Sequence, residues 1–188
     1  MPLERKTVFS ADRVYRYTLW RDTGIDRNWF PLECNHGFDA CPTCDKDASF
    51  SGNARKFVQF IGLNPSTADE TKDDATIRRC CGYARDWGFG ALCMTNLFAY
   101  RATDPKRMKD YALPIGVGNI EWLVRVGKEA GLTVCAWGRD GEFNRQATIV
   151  SAILKEEGIS LHCLVKCNDG SPHHPLRLSK ALKPIPWP

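Results

Sequence analysis

The sequence contains no long apolar segment. None of its apolar runs approaches the roughly 18 residues that are needed to cross a bilayer, so no membrane partner is expected. Glu4, Arg5 and Lys6 follow Met1 without the apolar stretch of a signal peptide, which predicts a cytoplasmic protein. Internal repeats and low-complexity tracts are also absent.

The chain has little excess charge of either sign. A formal net charge of +4 permits a nucleic-acid partner but does not require one. An apolar content of 43% and a charged content of 26% over 188 residues are typical of one ordinary globular domain, and they argue against disorder.

Cysteine is abundant, and its pattern does not favour disulfides. Nine cysteines, an odd number, in a chain without an export signal indicate reduced thiols. The motif Cys34-x-His36-x4-Cys41-x2-Cys44 could supply a tetrahedral Cys3His zinc site. Only one residue separates its first two ligands, which is tighter than in common zinc fingers, so a redox-active or merely reduced pair is the alternative. The remaining cysteines considered fall on apolar helix faces or in strands, where cysteine is usually a small core residue: Cys80, Cys81, Cys93, Cys135 and Cys163.

Strand and helix patterns alternate along most of the chain. Strands are predicted at 14–20, 57–61, 91–97, 133–137 and 160–165. Helices are predicted from a cap at Asp73 or Asp74 to Gly88, from a cap at Asn119 to Gly131, and over 142–157. This alternation predicts a single α/β domain, a three-layer αβα arrangement with a mainly parallel central sheet. The Cys/His-rich segment is then an insertion at about 26–55.

Three polar residues follow predicted strands. Asn64 lies in the turn Gly62-Leu63-Asn64-Pro65, Asn96 ends the strand after the first helix, and His174 lies in the last polar loop. Because the carboxyl ends of parallel strands share one edge of the sheet, we expect these residues to meet in one crevice. Each also has a simpler interpretation: a proline-terminated turn, a loop-stabilising amide and a surface histidine.

Several motifs resemble the DUF1643 family, a group of uncharacterised bacterial and phage proteins. The resemblance is carried by Leu63-Asn64-Pro65-Ser66-Thr67-Ala68-Asp69, by Asp73-Asp74-Ala75-Thr76-Ile77-Arg78-Arg79-Cys80 and by Thr95-Asn96-Leu97-Phe98-Ala99-Tyr100-Arg101-Ala102-Thr103-Asp104-Pro105. The segments Tyr15-Arg16-Tyr17-Thr18-Leu19-Trp20 and Asp169-Gly170-Ser171-Pro172-His173-His174-Pro175-Leu176 extend it over nearly the whole chain outside about 26–55.

A more distant resemblance connects the chain to the uracil-DNA glycosylase superfamily. Gly62-Leu63-Asn64-Pro65 is similar to that superfamily's first motif in its Gly-Ile-Asn-Pro version, and His174-Pro175-Leu176 is similar to its second, which begins His-Pro-Ser. Met94-Thr95-Asn96-Leu97 resembles the strand that carries the superfamily's base-reading asparagine. The order of the three motifs also agrees, and the superfamily's fold is a parallel sheet between helices.

This second resemblance implies an N-glycosylase for a modified or damaged pyrimidine in DNA or in a nucleotide. Asn64 would position a water, His174 would donate to the developing anion on the base, and Asn96 would read the base edge. Phe98 or Tyr100 would stack on the extruded base, and the phosphates would be held by Arg78, Arg79 and Arg101. For these arginines a solvated helix face or a structural ion pair is an equally good interpretation.

The sequence departs from the glycosylase pattern in three places. Leu176-Arg177 replaces small residues that pinch DNA, which disfavours scanning of duplex DNA and would let Arg177 bind a phosphate. Asn64 in place of an aspartate predicts weak activation of water, so a binding module with a structural zinc site is the alternative function. An iron-sulfur cluster, present in some uracil-DNA glycosylases, is disfavoured because Tyr100 occupies the position of a cluster cysteine.

A third, weaker interpretation is a phosphate transferase or hydrolase. It would use a divalent ion bound by the three nearby carboxylates Asp69, Asp73 and Asp74.

Overall fold

The computed structural model describes residues 5–24 and 57–188, which form a seven-stranded sheet with helices. The strands are β1 (Arg5–Phe9), β2 (Arg16–Asp22), β3 (Phe57–Gly62), β4 (Ala91–Asn96), β5 (Leu132–Cys135), β6 (Leu161–Cys163) and β7 (Ile185–Pro186). The α-helices are α1 (Ala75–Asp86), α2 (Pro105–Asp110), α3 (Asn119–Glu129) and α4 (Gln146–Glu156), and a 3-10 segment spans Arg139–Arg145. Among these described helices, none has both the length and the apolar surface that a bilayer crossing needs.

The sheet is parallel at its centre and antiparallel at its edges. Its order is β1-β2-β4-β3-β5-β6-β7, and β4, β3, β5 and β6 run parallel to one another. β1, β2 and β7 pair antiparallel. The predicted α/β class is therefore confirmed, whereas a parallel arrangement holds only for the central strands. The edge strands β1 and β7 were not predicted, because neither carries the buried apolar run that identifies a central strand.

Helices cover both sides of the sheet. Val58 and Phe60 of β3 point to one side and pack with Ile77 and Tyr83 of α1. Phe57 and Ile61 alternate to the other side, where Ile61 packs in the cluster formed by α2, α3 and α4. This alternation follows from the two-residue period of a strand that is buried on both faces.

Helix α1 begins and ends where local chemistry requires it. The Asp74 carboxylate accepts a hydrogen bond from the backbone N–H of Ile77 at 2.8 Å, which satisfies one of the free donors of the first turn. Gly88 lies just beyond the helix with a φ of +84°, a conformation that favours glycine. The carboxyl-terminal segment is fastened to this helix because the Tyr83 hydroxyl donates to the Ser179 carbonyl.

The other two predicted helix starts were wrong. Gly118, not Asn119, precedes α3 as its cap, and the Asn119 side chain instead donates to the Asn96 and Leu97 carbonyls at the end of β4. Helix α4 begins at Gln146 rather than at 142, because the backbone at Asn144 and Arg145 has positive φ and interrupts the helical path.

Candidate functional site

A cavity of about 390 Å³ lies at the carboxyl edge of the parallel strands. It is bounded by the residues that follow β3, by the last residues of β4, by the residues that follow β5 and by the first turn of α1. β3 and β5 are neighbours, yet β3 continues into α1 on one side of the sheet and β5 leads towards α4 on the other. This is a topological switch point, where open α/β sheets bind ligands. Asn64, Asn96 and His174 all line the cavity, as the sequence predicted.

Asn64 is held by the loop that it helps to shape. Its Nδ2 donates to the Ala102 carbonyl at 2.7 Å and to the Pro65 carbonyl at 3.1 Å. Both amide hydrogens are therefore used, and within the described ranges no protein donor contacts the Asn64 oxygen. A carboxamide oriented in this way presents an acceptor to the cavity, which is the group needed to orient a water.

Asn96 is buried but incompletely paired. It is 2% exposed, and its Nδ2 has no hydrogen-bond partner among the described residues. Its Oδ1 lies over Gly62, where an added Cβ would come within 2.9 Å of that oxygen. The backbone behind Asn96 is fixed because its own carbonyl accepts a hydrogen bond from Asn119 at 3.0 Å. A buried amide donor without an acceptor is costly, so a ligand oxygen is its natural partner.

His174 presents a neutral donor to the cavity. The backbone N–H of Leu176 donates to its Nδ1 at 3.3 Å, so in the neutral ring the hydrogen lies on Nε2. Burial, reinforced by the neighbouring His173, lowers the pKa of His174 below its ordinary value of 6.5, while the nearby Asp74 opposes that shift. The uncharged imidazole therefore predominates at neutral pH.

Arg16 is a cavity residue that the sequence analysis missed. Its side chain is 2% exposed and lines the cavity, its Nη1 donates to the Ala68 carbonyl at 2.9 Å, and its buried Nε lacks an acceptor in the part of the chain that the structure describes. Burial lowers the pKa of Arg16 to about 10, against the attraction of Asp74, so the guanidinium stays charged at neutral pH. The available signal was a charged residue at the start of a strand rich in aromatic and β-branched residues.

The three carboxylates of the metal-dependent interpretation make separate structural contacts. Asp69 accepts hydrogen bonds from the backbone of Thr71 and Lys72, and these bonds lower its pKa to about 2. Asp73 pairs with Arg21 at 2.6 Å, and Asp74 caps α1. Residues 5–24 and 57–188 contain no group of three or more such ligands that could hold a metal ion. This arrangement gives no support to a shared divalent ion.

The two aromatic candidates lie away from the cavity wall. Phe98 is fully buried in the core on the α3 side, where its ring is 5.8 Å from that of Phe143. Tyr100 stacks on Tyr111 at 3.9 Å between ring centroids. Neither lines the cavity, so stacking on an extruded base would require the chain to rearrange.

The four candidate phosphate ligands separate into different places. Arg78 and Arg79 lie together on α1, where they line a second, larger cavity. Arg101 lies over the Phe9 ring at 4.8 Å and donates to the Arg13 carbonyl. Arg177 is exposed, two residues beyond Pro175. Only the α1 pair therefore shares a surface.

The predicted metal ligands lie outside the described residues. This applies to Cys34, His36, Cys41 and Cys44, and the zinc site, its redox alternative and the iron-sulfur alternative stay predictions from the sequence. The core assignment of the remaining cysteines is confirmed: Cys80, Cys93, Cys135 and Cys163 are buried, and Cys81 is partly buried. Burial raises the pKa of the Cys80 and Cys93 thiols well above the ordinary value, as expected for inert core thiols.

The chain belongs to the DUF1643 family, which is described as a protein of unknown function. The family's sequence profile matches residues 49–176, which include every cavity residue discussed above except Arg16. Searches of curated proteins and of solved structures gave no match. We therefore infer a function from the site itself.

Proposed function

We propose that this protein is a uracil-DNA glycosylase-like N-glycosylase that excises a modified or damaged pyrimidine from DNA or from a nucleotide. The observation that carries the proposal is the convergence of Asn64, Asn96 and His174 on one cavity at the switch point of the sheet. Its volume of about 390 Å³ is within the range of small-molecule sites.

Asn64, Asn96 and His174 would have separate roles in the reaction. A water oriented by the Asn64 oxygen attacks the anomeric carbon, the bond from that carbon to the base nitrogen breaks, and the base leaves with the electron pair. The water loses one proton as the sugar gains its hydroxyl, and the departing base is protonated. Asn64 is neutral and orients the water without deprotonating it, which predicts a slow enzyme.

His174 and Asn96 would act on the departing base. The Nε2–H of neutral His174 would donate to a pyrimidine oxygen as negative charge develops there. The unpaired Nδ2 of Asn96 would donate to the base edge, and its Oδ1 would accept. One preorganised donor of this kind in a protected site contributes about 10²–10³ in rate.

One observation favours a second candidate, a nucleotide- or nucleic-acid-binding module without chemistry. The carboxylates that line the cavity are both engaged, since Asp74 caps α1 and Asp140 pairs with Lys109 at 2.6 Å. No free carboxylate of the described cavity wall is placed to deprotonate water. In this alternative the Cys/His-rich segment would be a structural zinc site, which metal analysis of the purified protein would measure.

Release of free base separates the two candidates. The protein is incubated with single- and double-stranded oligonucleotides and with nucleosides that carry uracil, 5-hydroxymethyluracil or other modified pyrimidines, and free base is measured by mass spectrometry. We expect base release that falls about a hundredfold in His174→Phe and also falls in Asn64→Ala.

His162→Phe is the matched control. His162 lies on β6 and does not line the cavity, so its replacement should leave base release nearly unchanged. Bound substrate with no free base from any of these compounds would instead support the binding module.

A further inference from the structure

A basic groove lies beside the cavity, on the outer surface of α1. It has a volume of about 630 Å³ and is walled by Arg78, Arg79 and Arg85 of the helix and by Lys180 of the carboxyl-terminal segment. Asp86 is the one acidic residue of its lining, so the groove has a clear excess of positive charge.

Among the described residues, the groove's cations are not paired with carboxylates. In the described ranges none of the four forms a salt bridge, whereas other surface cations do, as in the pairs of Arg13 with Glu70 and Lys128 with Glu157. A buried Nη1 of Arg79 also has no hydrogen-bond partner there. Arg78 donates to the backbone carbonyl of Asp73, but no described carboxylate pairs with these guanidinium groups. Guanidinium groups along one helix face without a carboxylate partner are suited to phosphate oxygens.

Gly82 keeps the floor of the groove open. It lies inside α1, where glycine costs about 1 kcal/mol relative to alanine, and an added Cβ would meet nothing within 4 Å. The bare backbone at this position allows a ligand to approach the helix closely.

The groove adjoins the cavity. Ala75 and Leu176 line the groove, while Asp74, Thr76 and His174, which precede or flank them in sequence, line the cavity. The first turn of α1 and the His174 loop therefore separate the two. A mononucleotide bound in the cavity would leave the groove empty, whereas a polymer could occupy both.

We propose that the groove binds the phosphates of a single-stranded nucleic acid whose target base occupies the cavity. This rests on the function proposed above, and it selects the polymer over the free nucleotide as substrate. The groove presents no free aromatic face, because Tyr83 is 1% exposed and its hydroxyl donates to Ser179. Binding there is therefore electrostatic and independent of sequence.

Salt-dependent binding of a fluorescent 20-nucleotide single strand tests the proposal. The measurement uses the Asn64→Ala protein, so that catalysis does not enter. Four phosphate contacts predict a slope of about −2.8 in log K against log salt, since each contributes about −0.7 for single strands. The double substitution Arg78→Gln with Arg85→Gln should reduce the slope by about 1.4. Lys155→Gln, an exposed cation on α4 at the opposite side of the sheet, should leave it unchanged.

A second variant tests the groove without removing charge. Gly82→Leu fills the groove floor at a position with open space and improves the helix, so it should weaken strand binding while raising the midpoint of thermal unfolding. An unchanged slope in the arginine variant, tighter binding of duplex than of single strand, or equal competition by poly-glutamate would overturn the proposal. Groove-dependent binding without base release would overturn the glycosylase and leave the groove assignment in place.

Discussion

Two buried carboxamides on neighbouring strands, Gln59 and Asn96, differ in how fully their polar atoms are hydrogen-bonded. In the middle of the sheet, Gln59 of β3 donates to the Thr95 hydroxyl and the Leu123 carbonyl and accepts from the Thr133 hydroxyl. At the end of β4, the equally buried Asn96 leaves its Nδ2 unpaired. Both polar atoms of the Gln59 carboxamide have partners, whereas the Asn96 amide group has an unused donor that a ligand in the cavity could satisfy.

The two buried arginines of β2 repeat this contrast. Arg21 pairs with Asp73 and also donates to the backbone carbonyls of Trp20 and Asp69. Arg16, five residues earlier on the same strand, makes one hydrogen bond and leaves its Nε without an acceptor in the described part of the protein. In each of these two pairs the member that lines the cavity is the one with an unpaired buried donor, although unpaired polar atoms also occur elsewhere in the described chain, as in Thr18 and His162. An unpaired donor in a cavity wall is a group that a ligand can satisfy.

The largest expected difference in stability is between variants of the two buried arginines, Arg21 and Arg16. Arg21→Met removes the ion pair to the largely buried Asp73 and should lower the free energy of unfolding by about 3 kcal/mol. Arg16→Met removes one hydrogen bond and also relieves an unpaired buried donor, so it should change that free energy by about 1 kcal/mol or less. Urea denaturation measures both, and a similar loss in the two variants would mean that Arg16 has a structural role only.

Replacing the two carboxamides, Gln59 and Asn96, should change the free energy of unfolding by amounts that differ somewhat less. Gln59→Leu leaves the Thr133 hydroxyl without its acceptor in the core and removes the bonds to Thr95 and Leu123, so it should cost about 2–3 kcal/mol. Asn96→Ala should cost about 1 kcal/mol and abolish ligand binding in the cavity. An equal loss of stability in Asn96→Ala and Gln59→Leu, measured in the same denaturation assay, would contradict the view that Asn96 contributes little to the folded core.

Two glycines provide the next test. In Gly62→Ala the new methyl would lie 2.9 Å from the Asn96 oxygen, so the carboxamide must move and the free energy of unfolding should fall by about 1–2 kcal/mol. Gly82→Ala is the matched control, because its methyl meets nothing and the helix should gain about 0.5–1 kcal/mol. Thermal unfolding of both variants shows whether each substitution raises or lowers the stability. Stabilisation by Gly62→Ala would show that Asn96 is not held over Gly62.

The smallest expected effect is the pH dependence due to His174. Burial lowers the pKa of His174 below its ordinary value of 6.5, so the unfolded chain takes up a proton before the folded protein does. His174 therefore makes the folded protein less stable as the pH falls through about 6.5 towards the lowered pKa, and its effect vanishes above that window. The difference in urea midpoint between His174→Phe and the native protein, followed from pH 8 to 5, isolates this contribution. A difference that does not vary with pH would contradict the assigned burial.

The sequence by itself determined the class of the fold and three of the residues that line the cavity, Asn64, Asn96 and His174. Apolar runs, the Asp74 cap and the turn at Asn64 are local signals, because a strand's period and a helix cap depend only on neighbouring residues. The short edge strands were missed because they lack the apolar run of a central strand, and β7 also depends on pairing with β6 more than twenty residues earlier. The late start of α4 was missed because it depends on positive φ at Asn144 and Arg145.

Only the tertiary structure decided which polar groups stay unpaired. Arg16 and Arg21 are alike in sequence, as are the two carboxamides, and their partners come from loops and strands far along the chain. The basic groove likewise exists because Lys180 returns to the surface of α1, about a hundred residues after its arginines. Local sequence sets the residues that could act, whereas long-range packing determines which of them a ligand can reach.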